Sequence, residues 1–278
     1  MKDYDIICLN EIETCLPVTF PGYVSHVSYD KENGNRGGTC VFIRHSLNKY
    51  VFDIDMSSAD QVWFKLKCVP GVLFGSCYVP PSDSEYFNYA QISNIQEKLK
   101  SSENISGTVI VGDMNARLGV AVREQAAGVV RCCYPAIPDP VSTPNDNATA
   151  MLGICMEEKL LVVNNLQMAD VYFPSKKTFR KGREWVSELD TCIMSVNLIK
   201  CVKHFDVIHN DSLPSDHAPV AVAMQLPSLC LDTLAVRAAE LGAHSGDCRT
   251  TITSGGKRAK PPLQFCEIWT YNHKSLTM

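Results

Sequence analysis

The chain has 278 residues, 45% of them hydrophobic and 20% charged, with a formal net charge of −4. This composition excludes a fibrous, low-complexity or disordered polymer and supplies a full-sized core, in one large domain or two small ones. The acidic balance gives no general attraction to nucleic acid, so a polyanionic substrate would need local positive groups or bound cations.

Short apolar runs bounded by turn residues recur along the chain, and most are too short for helices. Strands are predicted at residues 5–11, 38–44, 62–68, 72–79 and 108–112, and again at 160–164, 188–194, 205–209 and 219–224. Ser82-Asp-Ser-Glu85 has capping-box spacing and Ile92, Ile95 and Leu99 recur on one face behind it, which predicts a helix over 84–100. A second helix is predicted over 148–159, where Leu152, Cys155 and Met156 share a side after the polar Asn145-Asp-Asn147. Between them, residues 120–147 dissolve into Gly, Pro and small residues and read as a long surface loop. After Leu226 the composition shifts to Ser, Thr, Gly and Pro, so 227–278 reads as a polar linker or tail with a short helix at 231–241, and 1–226 as the folded domain. Strands outnumber helices and the helices lie between them, which predicts an α+β domain of packed sheets.

Thirteen cysteines is a high count, but the number is odd, no CxxC occurs, and Cys132 is followed directly by Cys133. Cys8, Cys40, Cys68, Cys77 and Cys192 sit inside apolar runs, where a thiol behaves as a small hydrophobe; buried, reduced cysteines are expected. The opening residues lack a secretory pattern and no run approaches the roughly 20 apolar residues of a membrane span, so an intracellular location is expected. The basic run Lys257-Arg-Ala-Lys260 is compatible with nuclear entry but too short to decide it.

Chemistry is concentrated where apolar strands end on polar residues. Thr108-Val-Ile-Val-Gly-Asp-Met-Asn-Ala-Arg117 runs a buried strand into Asp113 and Asn115. Ile6-Ile-Cys-Leu-Asn-Glu11 ends another on an acid, a costly burial unless a partner such as a divalent cation is present. Leu213-Pro-Ser-Asp-His-Ala-Pro219 sets Asp216 beside His217 at a strand entrance; a carboxylate on one ring nitrogen favours the charged ring and leaves the other nitrogen for a phosphate oxygen or a leaving group. Asp190 begins the strand after Trp185-Val-Ser-Glu-Leu, and Tyr78 closes the strand before Val-Pro-Pro81, its hydroxyl able to donate to an oxyanion. Lys176-Lys-Thr-Phe-Arg-Lys-Gly-Arg183 is the most basic stretch; Lys176, Lys177, Arg180, Lys181 and Arg183 are the candidate phosphate contacts, with Phe179 and Trp185 interleaved.

The order Glu, Tyr-x-Pro, Gly-Asp-x-Asn, Ser-x-x-Asp, Ser-Asp-His resembles the endonuclease, exonuclease and phosphatase superfamily. The subgroup most similar in appearance is the endonuclease domain of non-LTR, LINE-like retrotransposons, on the strength of Gly37-Gly-Thr-Cys-Val-Phe-Ile-Arg44, Tyr78-Val-Pro-Pro81, Leu161-Val-Val-Asn164 and Ser187-Glu-Leu-Asp190. The resemblance covers residues 5–224 and implies two packed mixed β-sheets flanked by helices in a four-layer sandwich. It also implies hydrolysis of DNA phosphodiesters with Mg²⁺, for which Mn²⁺ can substitute. By motif match Glu11 and Asp216 would bind metal, Asp113 would position or deprotonate water, and Asn115 would orient the phosphate. Asp216 and His217 would form the pair on the scissile phosphate, Asp190 would support that pair, and Tyr78 would steady developing charge. The physics agrees: several carboxylates facing a phosphodiester repel it unless a divalent cation cancels the repulsion and acts as a Lewis acid.

The chain departs from that pattern in one respect. Family members carry an additional strand with an Asn, as Asn-x-x-x-Leu, ahead of the Glu strand, and here Met1 stands just before the first core strand. A vacant slot in one sheet is therefore expected, with two functional outcomes: a truncated, impaired nuclease, or an inert retrotransposon-derived remnant or DNA-binding fold. A phosphomonoesterase or small-molecule phosphodiesterase of the same superfamily is a further alternative, disfavoured because no second basic cluster flanks the motifs. Asp53-Ile-Asp55 also looks like the Asp-x-Asp of haloacid-dehalogenase phosphatases, without the accompanying Lys and acidic loop.

Overall fold

The computed structural model describes residues 4–12, 19–28, 38–119, 121–123, 143–168, 171–173, 176–210, 215–225 and 266–272. In chain order the elements are β1 (Ile6–Asn10), β2 (Tyr23–Ser28), β3 (Thr39–Arg44), α1 (His45–Asn48), β4 (Val51–Asp55), β5 (Gln61–Leu66), β6 (Val69–Cys77), α2 (Tyr89–Ser101), β7 (Gly107–Asp113) and α3 (Asp146–Glu157). They continue with β8 (Leu160–Val162), β9 (Gln167–Met168), β10 (Val171–Tyr172), β11 (Phe179–Lys181), β12 (Glu184–Ser187), β13 (Asp190–Ser195), β14 (Val202–Val207), β15 (Val220–Met224) and β16 (Cys266–Asn272).

Two six-stranded sheets form, in the orders β14-β15-β16-β1-β3-β2 and β4-β5-β6-β7-β13-β8, with β11-β12 and β9-β10 as separate hairpins. Alternation decides which side chains face the second sheet: Ile6 and Cys8 of β1 enter the main core, whereas Ile7 joins Cys40, Phe42 and Ala221 in a smaller cluster on the other face. β7 is buried at every position, as a central strand between parallel β6 and antiparallel β13 must be. Trp63, Phe74 and Phe205 anchor the main core, each contributing roughly 1.5–3 kcal/mol through burial. The Trp63 ring occupies the space of a missing side chain, since a Cβ on Gly75 would lie 2.4 Å from it. The chain is thus an α+β fold of two packed sheets, with Ile92 and Ile95 of α2 and Met151 and Cys155 of α3 in the main core.

Capping side chains set helix starts different from those the sequence spacing predicts. The first long helix begins at Tyr89, not residue 84, because Asn88 and Gln91 form the capping box in place of Ser82 and Glu85. The second starts at Asp146, with the Asn145 side chain accepting from Ala148 N. Strands β2 and β4 were not predicted. β4 carries Asp53 and Asp55, which pair with Lys65 at 2.7 Å and Lys98 at 2.8 Å, so the Asp-x-Asp is an ion-paired stretch of an edge strand. Residues 124–142 of the predicted loop and the predicted helix at 231–241 lie outside the described residues.

The expected vacancy in the sheet is not there. β16 lies between β1 and β15, parallel to β1 from the Ile6–Ile268 pair to the Asn10–Asn272 pair and antiparallel to β15 from Val220–Thr270 to Met224–Cys266. Its sequence runs on as Asn272-His-Lys-Ser-Leu276, the Asn-x-x-x-Leu spacing expected ahead of Glu11. Reading 227–278 wholly as a polar tail was therefore wrong. Cys266-Glu-Ile-Trp-Thr-Tyr-Asn272 is short and follows a stretch rich in Ser, Thr, Gly and Lys, but its β-rich composition fits a central strand.

Candidate active site

Strand ends from both sheets converge. Asp113 ends β7 and Asp190 begins β13, and the antiparallel register makes them direct partners. His217 comes from the turn before β15 and reaches both: its Nδ1 lies 2.8 Å from Asp190 Oδ2 and 3.9 Å from Asp113 Oδ2. Glu11 follows β1 and accepts a hydrogen bond from the Tyr78 hydroxyl at the end of β6. The β1 end is held against β7 at Gly112, where a Cβ would meet Asn10 Oδ1 at 3.2 Å and the Cys77 carbonyl oxygen at 1.9 Å. All five side chains are buried.

Local backbone geometry is unusual where the acids emerge. Glu11 and Asn115 both adopt left-handed conformations, with φ of 52° and 45°, which cost non-glycine residues about 1–3 kcal/mol and cluster at functional sites. Asn115 is fastened to Asp113 twice: its N donates to Oδ1 at 2.9 Å and its Nδ2 to Oδ2 at 3.1 Å. The following turn is held by Asn145, whose Nδ2 donates to Asn115 O, and by Asn147, whose Nδ2 donates to Pro80 O and Met114 O.

The charges are unbalanced. Burial and repulsion from Asp190 raise the Asp113 carboxyl from 3.8 to about 7, with His217 partly offsetting them and Glu11 adding to the rise. Burial by itself would lower the His217 ring, but Asp190, Asp113 and Asp216 together hold it up at about 9. The Tyr78 hydroxyl is pushed far up by burial and by Glu11, so it stays a donor.

The imidazole partner differs from the sequence expectation. Asp190, not the adjacent Asp216, binds His217 Nδ1. Asp216 is half-buried; its carbonyl oxygen accepts from Arg180 N at 2.8 Å, and its Oδ1 is buried without a hydrogen-bond partner among the described residues. Thr178 was missed altogether: its Oγ1 accepts from Leu189 N and Asp190 N, and its carbonyl from Ala218 N, so one residue braces Asp190 and His217 together. Asn164 Nδ2 donates to Asp190 O, and Ser215 Oγ accepts from His217 N. Asn164 closes the Leu161-Val-Val-Asn164 motif of the resemblance as a polar residue ending an apolar run, whereas nothing in the sequence marks Thr178.

The basic stretch forms the β11–β12 hairpin beside this cluster, joined to it by a bridge between Phe179 and His217. Lys176 is committed to Asp206 at 2.5 Å, whereas Lys181 and Arg183 are exposed at the turn. Arg180 Nη2 donates to Ser215 O, and its guanidinium lies 5.6 Å from the Trp185 ring centre. Lys177 contributes its carbonyl to His209 Nε2, leaving its ammonium outside that contact.

Donor atoms of Asp113, Asp190 and His217 lie within 4.8 Å of one another. His217 Nδ1 is occupied by Asp190, so the carboxylates are the better ligands. An oxygen-rich set containing a carboxyl raised to about 7 fits a hard divalent cation. Among the described cysteines, Cys8, Cys40, Cys77, Cys155 and Cys192 are free and buried, and burial drives Cys8, Cys40 and Cys155 up to about 12. Among the described residues no helix is long and apolar enough to cross a membrane.

No curated protein matches the chain. The 3'-5' exonuclease NExo from Neisseria meningitidis superposes with a TM-score of 0.55 at 18% identity, over 78% of this chain and 87% of that one. The Xenopus laevis APE2 catalytic domain gives a TM-score of 0.55 at 15% identity, over 83% and 89%. A Neisseria NExo variant described as a 3' phosphatase, bound to a product DNA hairpin, gives 0.55 at 17% identity, over 78% and 87%. Residues 1–217 match the model of the Endonuclease/Exonuclease/phosphatase family, and the chain belongs to that family.

Proposed function

We propose that the chain is a DNA-nicking endonuclease that hydrolyses phosphodiesters with Mg²⁺, Mn²⁺ substituting. The observation that carries this reading is the meeting of Asp113, Asp190 and His217 with donor atoms within 4.8 Å, from chain positions far apart. Family membership supplies phosphoester hydrolysis as the reaction class. A fold neighbour bound to a DNA hairpin and the exposed Lys181 and Arg183 favour nucleic acid. The retrotransposon-like motifs around residues 37–44, 78–81 and 187–190 support a transposon origin and an intracellular, DNA-facing role.

Glu11 and Asp216 would hold the cation, which supplies Lewis-acid polarisation of the phosphate and neutralises the acids. Asp113, kept in place by Asn115, orients a water and takes its proton. The protonated His217, its Nδ1 tied to Asp190, presents Nε2–H to a phosphate oxygen. Asn115 helps orient the phosphate, while Tyr78 fixes Glu11 by donating to it. Removing one such preorganised group typically costs about 10²- to 10³-fold in rate.

The test is nicking of supercoiled plasmid by the purified chain in Mg²⁺ and in chelator, beside Asp113→Ala. Nicking that needs the cation and Asp113 supports the reading. Equal nicking by both proteins refutes the site assignment, and activity only on terminal phosphates moves the substrate class to phosphomonoesters. Retention of DNA in chelator without cleavage in Mg²⁺ marks a binder.

A further inference from the structure

The two halves of the site in the first sheet do not touch through their own strands. Glu11 leaves β1 and His217 precedes β15, and among the described strands β16 is the one that hydrogen-bonds to both. The family match ends at residue 217, so β16 lies beyond the matched residues. We propose that β16 is the positioning element of the site: residues 266–272 set the distance between Glu11 and the Asp216 and His217 turn, and the site assembles only when they are docked.

The register supports this. Thr270 pairs with Cys8 on one side and Val220 on the other, and Asn272 pairs with Asn10, the residue before Glu11. The end of β16 therefore arrives at the same end of the sheet as Glu11 and the turn carrying His217. Ile268 is 2% exposed and lies in register between Ile6 and Val222, all three in the main core. With β16 in place, β1 and β15 stand two strand spacings apart, about 9–10 Å. If the slot emptied and its edges paired with each other, Glu11 would move by one spacing, about 5 Å, relative to His217. Misplacement of about 1 Å already costs on the order of 10²-fold in catalysis. An empty slot left open would instead expose two unpaired strand edges.

The catalytic part of this inference rests on the proposed nuclease reading; the docking part does not, and the two are tested separately. Hydrogen exchange on the unmodified full chain reads docking directly: the amides of 266–272 should be protected to the same degree as those of 6–10. Immediate exchange of 266–272 beside protected 6–10 would overturn the proposal, whether or not the chain nicks DNA. For assembly, Ile268→Pro removes a ladder donor within a central strand, and Ile268→Val keeps the strand. The Pro variant should need at least tenfold more Mn²⁺ for half-maximal binding while Ile268→Val stays at wild type, and an added peptide of residues 264–276 should restore the midpoint. An unchanged Mn²⁺ midpoint in Ile268→Pro, or failure of the peptide to restore it, would refute the positioning role.

Discussion

Asp113→Asn should stabilise the metal-free protein while abolishing its chemistry. Asp113 is 1% exposed, and its carboxyl rises from 3.8 to about 7 because burial and Asp190 disfavour the charge. At 1.36 kcal/mol per pH unit, that rise costs the fold about 4 kcal/mol once the pH is above 7. The sign is that of a raised acid: the penalty is absent below 3.8, grows through the interval and is complete above about 7. Asparagine removes the charge but loses the carboxylate oxygen that accepts from Asn115 Nδ2, a loss of about 1 kcal/mol. The net gain in chelator should be about 3 kcal/mol at pH 8, shrinking below about 1 kcal/mol at pH 5. Urea unfolding of both proteins in EDTA at the two pH values measures it. A variant less stable than wild type at pH 8, or a gain that ignores pH, would refute the electrostatic account of the site.

Other consequences are independent of that one. Stabilisation of the wild type by Mg²⁺ should grow as pH rises through about 7, because the Asp113 carboxyl must lose its proton to take part; thermal shifts at fixed Mg²⁺ across pH 5.5 to 8.5 would show it. Asp190→Asn should bring the His217 titration, now held up at about 9, down towards its ordinary range in an NMR titration, and lower nicking by about 10²-fold or more. In metal-free protein, the stability contributed by protonated His217 should be complete below pH 6.5 and be lost as pH rises through about 9, visible as a fall in the urea midpoint over that window. Gly112→Ala should destabilise by more than about 3 kcal/mol, since its Cβ would sit 1.9 Å from the Cys77 carbonyl oxygen at a φ of +144°; denaturant unfolding reads this directly.

Much of the molecule was legible because burial writes itself as apolar runs. β1, β3, β7 and β15 were placed to within a few residues, and Glu11, Asp113, Asp190 and His217 stood out as polar residues at strand ends. What failed was information carried by pairing. Whether His217 takes Asp216 or Asp190 depends on how the turn before β15 sits against the start of β13, a contact between distant segments that no local pattern specifies. Thr178 acts through backbone contacts to two distant segments and so looks like any loop threonine. Ser82 and Asn88 both offer acceptable capping-box spacing locally, and packing of Ile92 and Ile95 selects Asn88. β16 was hidden for a different reason: a seven-residue strand within a polar region is a weak signal, and the slot it fills is defined by strands more than 40 positions away.

The central claim is that Glu11 and Asp216 hold one divalent cation, with the Asp113 carboxylate beside Glu11 adding to the attraction. Electron paramagnetic resonance titration of Mn²⁺ into the full chain tests it most directly. The account predicts a bound ion that is lost or weakened at least tenfold in Glu11→Gln and Asp113→Ala, and untouched in Asp53→Asn on the edge strand. Mn²⁺ binding of equal strength in all four proteins would contradict it.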